Sequence, residues 1–301
     1  MGSVASREDT WPSLPLESWS DTCATLHMWT QIVGKIRLVQ SPWLNHSWHV
    51  TLYVTSRGLT TSPMPHRTRT FEIDFDFLDH QLVIRASDGG LGRLPLEPRS
   101  VAAFYRQLMD ELGRLDLHVD IHRTPNEVPD PIRFDRDEAH RAYDREYANR
   151  FWRVLVQVDR VLKEFRAQFI GKCSPVHFFW GSFDLAVTRF SGRPAPPREG
   201  PAFMRDAYSH EVISHGFWPG NASLPEAALY AYAVPEPAGL KTAAVQPEGA
   251  YYHPELNEFI LPYEVVRRSP SPGAAITAFV DTTYERAATL GAWDRASLER
   301  T

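Results

Sequence analysis

The sequence is poor in cysteine: 301 residues contain two, Cys23 and Cys173. Two cysteines build no disulfide framework, so a reducing, cytoplasmic setting is expected. No apolar run approaches the roughly 18–20 residues that span a bilayer. The opening stretch MGSVASREDTWPSLPLE carries acids and prolines where a signal peptide needs an apolar core. Gly2 with Ser6 fits an N-myristoylation pattern only formally, and no membrane partner is expected. Basic residues are not in excess either. Lys and Arg total 32 against 37 Asp and Glu, a net charge of -5, which argues against nucleic acid as the main partner because phosphate binding wants a basic face. G-x-S-x-G, P-loop and G-x-G-x-x-G motifs are missing. The nearest approach, DGGLGR (88–93), lacks the following helix that such a motif requires.

The composition that remains is that of a globular protein, with 43% hydrophobic and 23% charged residues and enough length for two domains. Within it, two stretches run in parallel. VGKIRLVQSPWLNHSWHVTLYVTSRGLTTSPMP (33–65) and IGKCSPVHFFWGSFDLAVTRFSGRPAP (170–196) share Gly-Lys, Ser-Pro, a histidine, a tryptophan, a Val-Thr pair and a closing Pro-x-Pro, in one order. The spacing from Ser41 to Thr55 equals that from Ser174 to Thr188. Further on, LPLE and LPYE each precede an amphipathic helix. This pattern suggests internal duplication.

Periodicity supplies the elements. Tyr147, Phe151, Val154, Leu155, Val158, Val161, Leu162, Phe165 and Phe169 recur at helical steps. Trp19, Leu26, Trp29, Val33 and Ile36 suggest a shorter helix interrupted by Gly34. Strands are expected at 48–57 and 178–190, after each Ser-Pro, and again at 115–123, 210–215, 229–234, 250–253 and 258–261. In TFEIDFDF, Phe71, Ile73, Phe75 and Phe77 point inward while Glu72, Asp74 and Asp76 form a solvated face. The fold class expected is therefore α+β: two related halves, each an antiparallel sheet covered by helices. Residues 1–123 form the first half, 124–135 a proline-rich linker and 136–301 the second.

LHMWTQIVGKIRL, IGKCSPVHFFWGSFDLAVTRFSGRPAPP, YSHEVISHGFWPG and YYHPELNEFILPY together resemble one uncharacterised bacterial family, domain of unknown function 5996. The resemblance extends from Trp11 to about Leu298. It implies a small, soluble bacterial protein, and it implies no activity.

Chemistry must therefore come from residues. His, Trp and carboxylates concentrate in NHSWH (45–49), HFFWGSFD (177–184), SHEVISHGFWPG (209–220) and YYHPELNE (251–258). As one uninterrupted strand, 178–190 places His177 and Asp184 on opposite faces. His177, Asp184, Glu211 and His215 are the candidate catalytic groups. Arg189, Trp180, Trp218, His46 and His49 are candidates for substrate binding, with Arg189 holding an anion. HEVISH lacks the i, i+4 histidine pair of zinc proteases, but Glu211, His215 and His253 are candidate ligands of a divalent or transition metal. His118, Asp120 and His122, sharing one strand face, are a weaker metal set, and SGRPAPPREGPA (191–202) is a candidate lid. The function expected is a cytoplasmic enzyme acting on a small polar or anionic molecule. Alternatives are a non-catalytic small-ligand-binding protein and a metal-dependent enzyme. The cofactor and the oligomeric state are left open.

Overall fold

The computed structural model describes residues 10–300, so Gly2 and Ser6 lie outside the described residues. The first half runs α1 (Ser20–Gln40), β1 (Tyr53–Val54), β2 (Gly58–Thr60), β3 (Met64–His66), β4 (Arg69–Asp76), β5 (Gln81–Ala86), β6 (Leu91–Pro95) and α2 (Val101–Arg114). The second half runs α3 (Arg145–Ala167), β7 (His177–Phe179), β8 (Asp184–Pro194), α4 (Ala202–Ala207), β9 (His210–Trp218), β10 (Ala228–Val234), β11 (Tyr251–His253), β12 (Glu258–Pro262), α5 (Tyr263–Arg268), α6 (Pro272–Leu290) and α7 (Arg295–Leu298). The protein is α+β, with one six-stranded antiparallel sheet in each half. The first has the order β1-β2-β4-β5-β6 with β3 on β4; the second is β11-β12-β10-β9-β8-β7. At their adjoining edges Leu52 and Phe178 exchange two backbone hydrogen bonds, 2.9 and 2.7 Å.

Local chemistry accounts for the main elements. The Ser100 hydroxyl caps α2 by accepting from the Ala103 amide (3.2 Å), and Val101, Phe104, Leu108 and Leu112 form its buried stripe. Asp144 caps α3 in the same way at Tyr147 (3.1 Å). In β4, Phe71, Ile73 and Phe75 are buried, while Asp74 pairs with Arg85 and Asp76 with Arg57. Helix α3 also reaches the first half: Trp152 donates to the Thr55 carbonyl (3.0 Å) and Asn149 to that of Phe77 (3.0 Å). One apolar core consequently extends through both sheets.

Four expectations are corrected. Helix α1 is continuous through Gly34, where the glycine makes room for the Trp180 ring: a Cβ there would stand 2.2 Å from the indole. Residues 48–57 do not form one strand. His46 and Ser47 both take positive φ in a short 3₁₀ turn, and the strand β1 itself starts only at Tyr53. The 115–123 segment joins no sheet. Finally, 178–190 is a hairpin, not a strand. Phe183 adopts φ 61°, and the reversal pairs Phe179 with Asp184 and His177 with Ala186. Directly paired residues share a face, so His177 and Asp184 point to the same side of the sheet.

The second sheet positions everything that follows. Leu185, Val187 and Arg189 of β8, with Ile213, His215 and Phe217 of β9, face α3 and α6. Asp184, Ala186 and Thr188, with Ser214 and Gly216 and with Tyr230 and Tyr232 of β10, face the other way.

Candidate functional site

Two chambers meet on that second face. The inner one, about 250 Å³, is walled by Trp43, Trp48, Phe179, Trp180, Phe190 and Phe203. The outer one, about 830 Å³, reaches His27, Arg198, Trp218, Glu236 and Glu258. Glu127, Ser182, Asp184, Tyr208, Tyr230 and Tyr232 line both.

Asp184 is the centre of the shared wall. It opens β8 immediately after the hairpin and is 7% exposed. Ser182 donates to its Oδ1 (2.5 Å) and the Tyr230 hydroxyl to its Oδ2. Tyr230 stands on β10, with β9 between it and Asp184, and it crosses at Gly216. A Cβ on Gly216 would lie 2.4 Å from the Tyr230 Cζ and hydroxyl. The glycine is thus what lets the phenol reach the carboxyl. Burial pushes the Asp184 pKa up, against the two hydroxyl donors, and sets Tyr230 well above its ordinary value.

A second row of hydroxyls runs alongside. Thr188 meets Ser214 (2.9 Å), Ser214 bonds Tyr232, and Tyr232 meets Tyr208 (3.0 Å) just beyond α4. Helix α4 covers the inner chamber with Phe203 and Met204 and is tied to the first half by His46. Because His46 Nδ1 must donate to the Asp206 carbonyl (3.0 Å), its Nε2 accepts from Lys172 (2.6 Å). The ring is neutral, and its pKa is lowered by burial and then by Lys172.

Two further carboxyls face the cavity. Glu258, at the start of β12, is pushed up to about 7 by burial and by Asp184. Glu127 lies over Gly181, where a Cβ would stand 2.5 Å from its carboxylate. Its side chain is open to solvent, yet the surrounding walls and Asp184 raise its pKa too. Asn126, beside it, is fixed by Gln31 (2.8 Å both ways) and by Lys35 (2.7 Å) of α1.

Of the residues singled out in the sequence, Asp184, Trp180, Trp218 and His46 line these chambers. The others do not. His177 is fully buried behind the inner wall; its Nδ1 meets Thr51 (3.2 Å), its Nε2 has no hydrogen-bond partner among the described residues, and burial lowers its pKa to about 3. His215 faces α6. The Thr283 hydroxyl donates to the Phe279 carbonyl (2.6 Å), so His215 Nε2 donates to Thr283 (3.0 Å). Burial, then Arg189, lowers its pKa to about 3. Arg189 lies in an aromatic cage, its guanidinium 3.4 Å from the Phe165 ring centre and 4.2 Å from that of Tyr284, and it donates to the Phe165 carbonyl. Glu211 is paired with Arg193 (2.7 Å) and Ser191 (2.8 Å), away from both chambers. His49 is buried against Trp43 and accepts from the Leu44 amide. His253 sits on edge strand β11, accepting from the Leu256 amide.

The metal set Glu211, His215 and His253 is not brought together. Among the described residues no group of three or more His, Cys, Asp and Glu side chains could hold a metal ion. Among the described residues no arginine lines the inner chamber, and Arg189, expected to hold an anion, is on the opposite face of the sheet. Cys173 is no thiolate, its pKa pushed up to about 11 by burial. Among the described residues no helix is long and apolar enough to cross a membrane.

Sequence reasoning missed Tyr230, Tyr232, Glu258 and Glu127. The first two carried a signal: ALYAYAV alternates tyrosine with small or aliphatic residues and sets both phenols on one strand face. Glu127 carried none, being a left-handed residue (φ 57°) in the segment read as a linker.

No curated protein and no solved structure matches the chain. A family model does, over residues 11–300, so the chain belongs to the family of unknown function DUF5996.

Proposed function

We propose that the chain binds a small organic molecule in the inner chamber, with Asp184 as the group that grips it. The observation that carries this reading is a carboxyl 7% exposed that still lines two chambers and is oriented by two hydroxyl donors. At about 250 Å³ the inner chamber is slightly below the roughly 300–1,000 Å³ of clefts for drug-sized ligands, so the ligand is small. Aromatic walls supply apolar contact, and the Thr188–Ser214–Tyr232 row supplies polar orientation.

A second reading, an enzyme that moves a proton through Asp184, draws support from the raised pKa of a carboxyl beside a hydroxyl. The histidines expected to do this chemistry have no access to the cavity. Here Asp184 would be both anchor and acid–base group.

A metabolite library screened by thermal shift tests the first reading. Ala186, on the inner wall, is replaced by leucine in a second sample to fill the chamber while leaving Asp184 in place. Hits should raise the melting temperature of the parent and not of Ala186→Leu. Hits that stabilise both equally bind elsewhere and overturn the proposal. Product analysis on the hits separates binder from enzyme: an enzyme converts a hit into product, whereas a binder returns it unchanged.

A further inference from the structure

We infer that the molecule taken by the inner chamber is an organic cation, an aryl- or alkylammonium compound with a hydrogen-bonding group of its own. This inference rests on the binding role proposed above and specifies the ligand's charge. The first observation is the balance of charge on the walls. Asp184 and Glu127 face the inner chamber and Glu236 and Glu258 the outer. Against them the inner chamber has His46, whose Nε2 lone pair is taken by Lys172, and the outer has His27 and Arg198. His27 is held neutral by burial, its pKa lowered to about 4. Arg198 stands over the Tyr208 ring at 4.8 Å. An anion entering the inner chamber would meet carboxyls and no cationic side chain on its lining.

The second observation is the kind of wall. Trp43, Trp48, Trp180, Phe179, Phe190 and Phe203 enclose the space around Asp184. Ring faces attract cations, by roughly 0.5–2 kcal/mol each depending on desolvation, and tryptophan does so best. Native cations already lie against two of these rings: Lys35 is 5.8 Å from the Trp180 ring centre and Lys172 is 5.6 Å from that of Trp48. Trp48 and Trp180 also line the inner chamber, and neither lysine does.

The third observation is independent of charge. The hydroxyl row of Thr188, Ser214 and Tyr232 lines the inner chamber beside Asp184 and offers a ligand polar partners of its own.

Three compounds that share one ring and differ in charge make the test: phenethylammonium, phenethyl alcohol and phenylacetate, titrated against the full chain by tryptophan fluorescence and by ligand-observed NMR. The ammonium compound should bind at least tenfold tighter than the alcohol, with the acetate weakest. In Asp184→Asn the ammonium preference should fall to within about threefold, and Glu127→Gln, a rim change that leaves the buried wall intact, should weaken it in the same direction. If the alcohol or the acetate binds as tightly as the ammonium, and Ala186→Leu abolishes that binding, the chamber is a ligand site and the inference of a cation is overturned. If none of the three binds the parent protein, the binding role and the cation inference fail together. Equal ammonium binding in the parent and in Ala186→Leu places it outside the chamber and overturns the inference.

Discussion

The two faces of the second sheet use polar residues in opposite ways. On the face covered by α3 and α6, Arg189 and His215 are shut among Phe165, Phe169, Tyr284 and Thr283. Their partners are backbone carbonyls, ring faces and one hydroxyl, and neither side chain lines the inner or the outer chamber. On the other face Asp184, Tyr230 and Ser214 are also buried, yet together with the half-buried Tyr232 they line open space. Burial alone therefore does not distinguish a structural polar group from one available to a ligand; what lies beyond the side chain does. The consequence also appears in protonation. Burial holds His215 and His177 neutral at about 3, whereas it raises Asp184.

The comparison is broken most severely at Arg189. Arg189→Ala removes the filling of a three-ring cage, and truncating a large core side chain costs about 3–5 kcal/mol. Urea unfolding should show that loss, and Arg189→Met, similar in length and uncharged, should recover most of it. On the cavity face, Gly216→Ala places a methyl 2.4 Å from the Tyr230 phenol and from the Leu185 carbonyl. Overpacking of this kind costs roughly 1–3 kcal/mol. It should also weaken ligand binding by detaching Tyr230 from Asp184, which a purely structural change on the other face would not do.

The pH dependence of stability sharpens the contrast. His215 and His177 take up a proton in the unfolded chain near 6.5 but not in the fold until about 3, so acid favours unfolding. Their contribution is present above 6.5 and is lost as pH falls, by about 1.4 kcal/mol per unit for each histidine. His215→Gln should flatten the slope of unfolding free energy between pH 6.5 and 5 by that amount; an unchanged slope would show that His215 already titrates in the fold. Asp184 has the reverse sign. Its folded pKa is raised, so its stabilisation is present below the unfolded value and lost as pH rises through the folded one. The smallest change follows: Asp184→Asn should leave the melting temperature at pH 8 unchanged or higher, since the amide still accepts one hydroxyl bond and brings no charge to bury.

Much of the architecture was legible because it is periodic. The stripe of α3, the alternation of β4 and the strands of the second half from β9 onward all follow from spacing that burial enforces. The hairpin at 180–183 was not. Its left-handed residue is Phe183, an aromatic with no turn preference, and missing the reversal inverted the facing of His177 relative to Asp184. The site was legible in part. Asp184 and Trp180 stood out as polar and aromatic residues in an otherwise apolar stretch. Arg189 and His215 stood out for the same reason, but the groups that enclose them, Phe165, Tyr284 and Thr283, come from helices distant in sequence. Residue type announces that a polar group is buried; only the tertiary fold assigns it to a core or to a cavity.

The most direct test sets the two faces against each other in one assay: the melting-temperature rise produced by a saturating cavity ligand, measured in Asp184→Asn and in Arg189→Met. The account predicts that the rise is lost in Asp184→Asn and kept in Arg189→Met, whatever the two variants' own melting temperatures. A rise kept in Asp184→Asn and lost in Arg189→Met would contradict it and move the functional site to the helix-covered face.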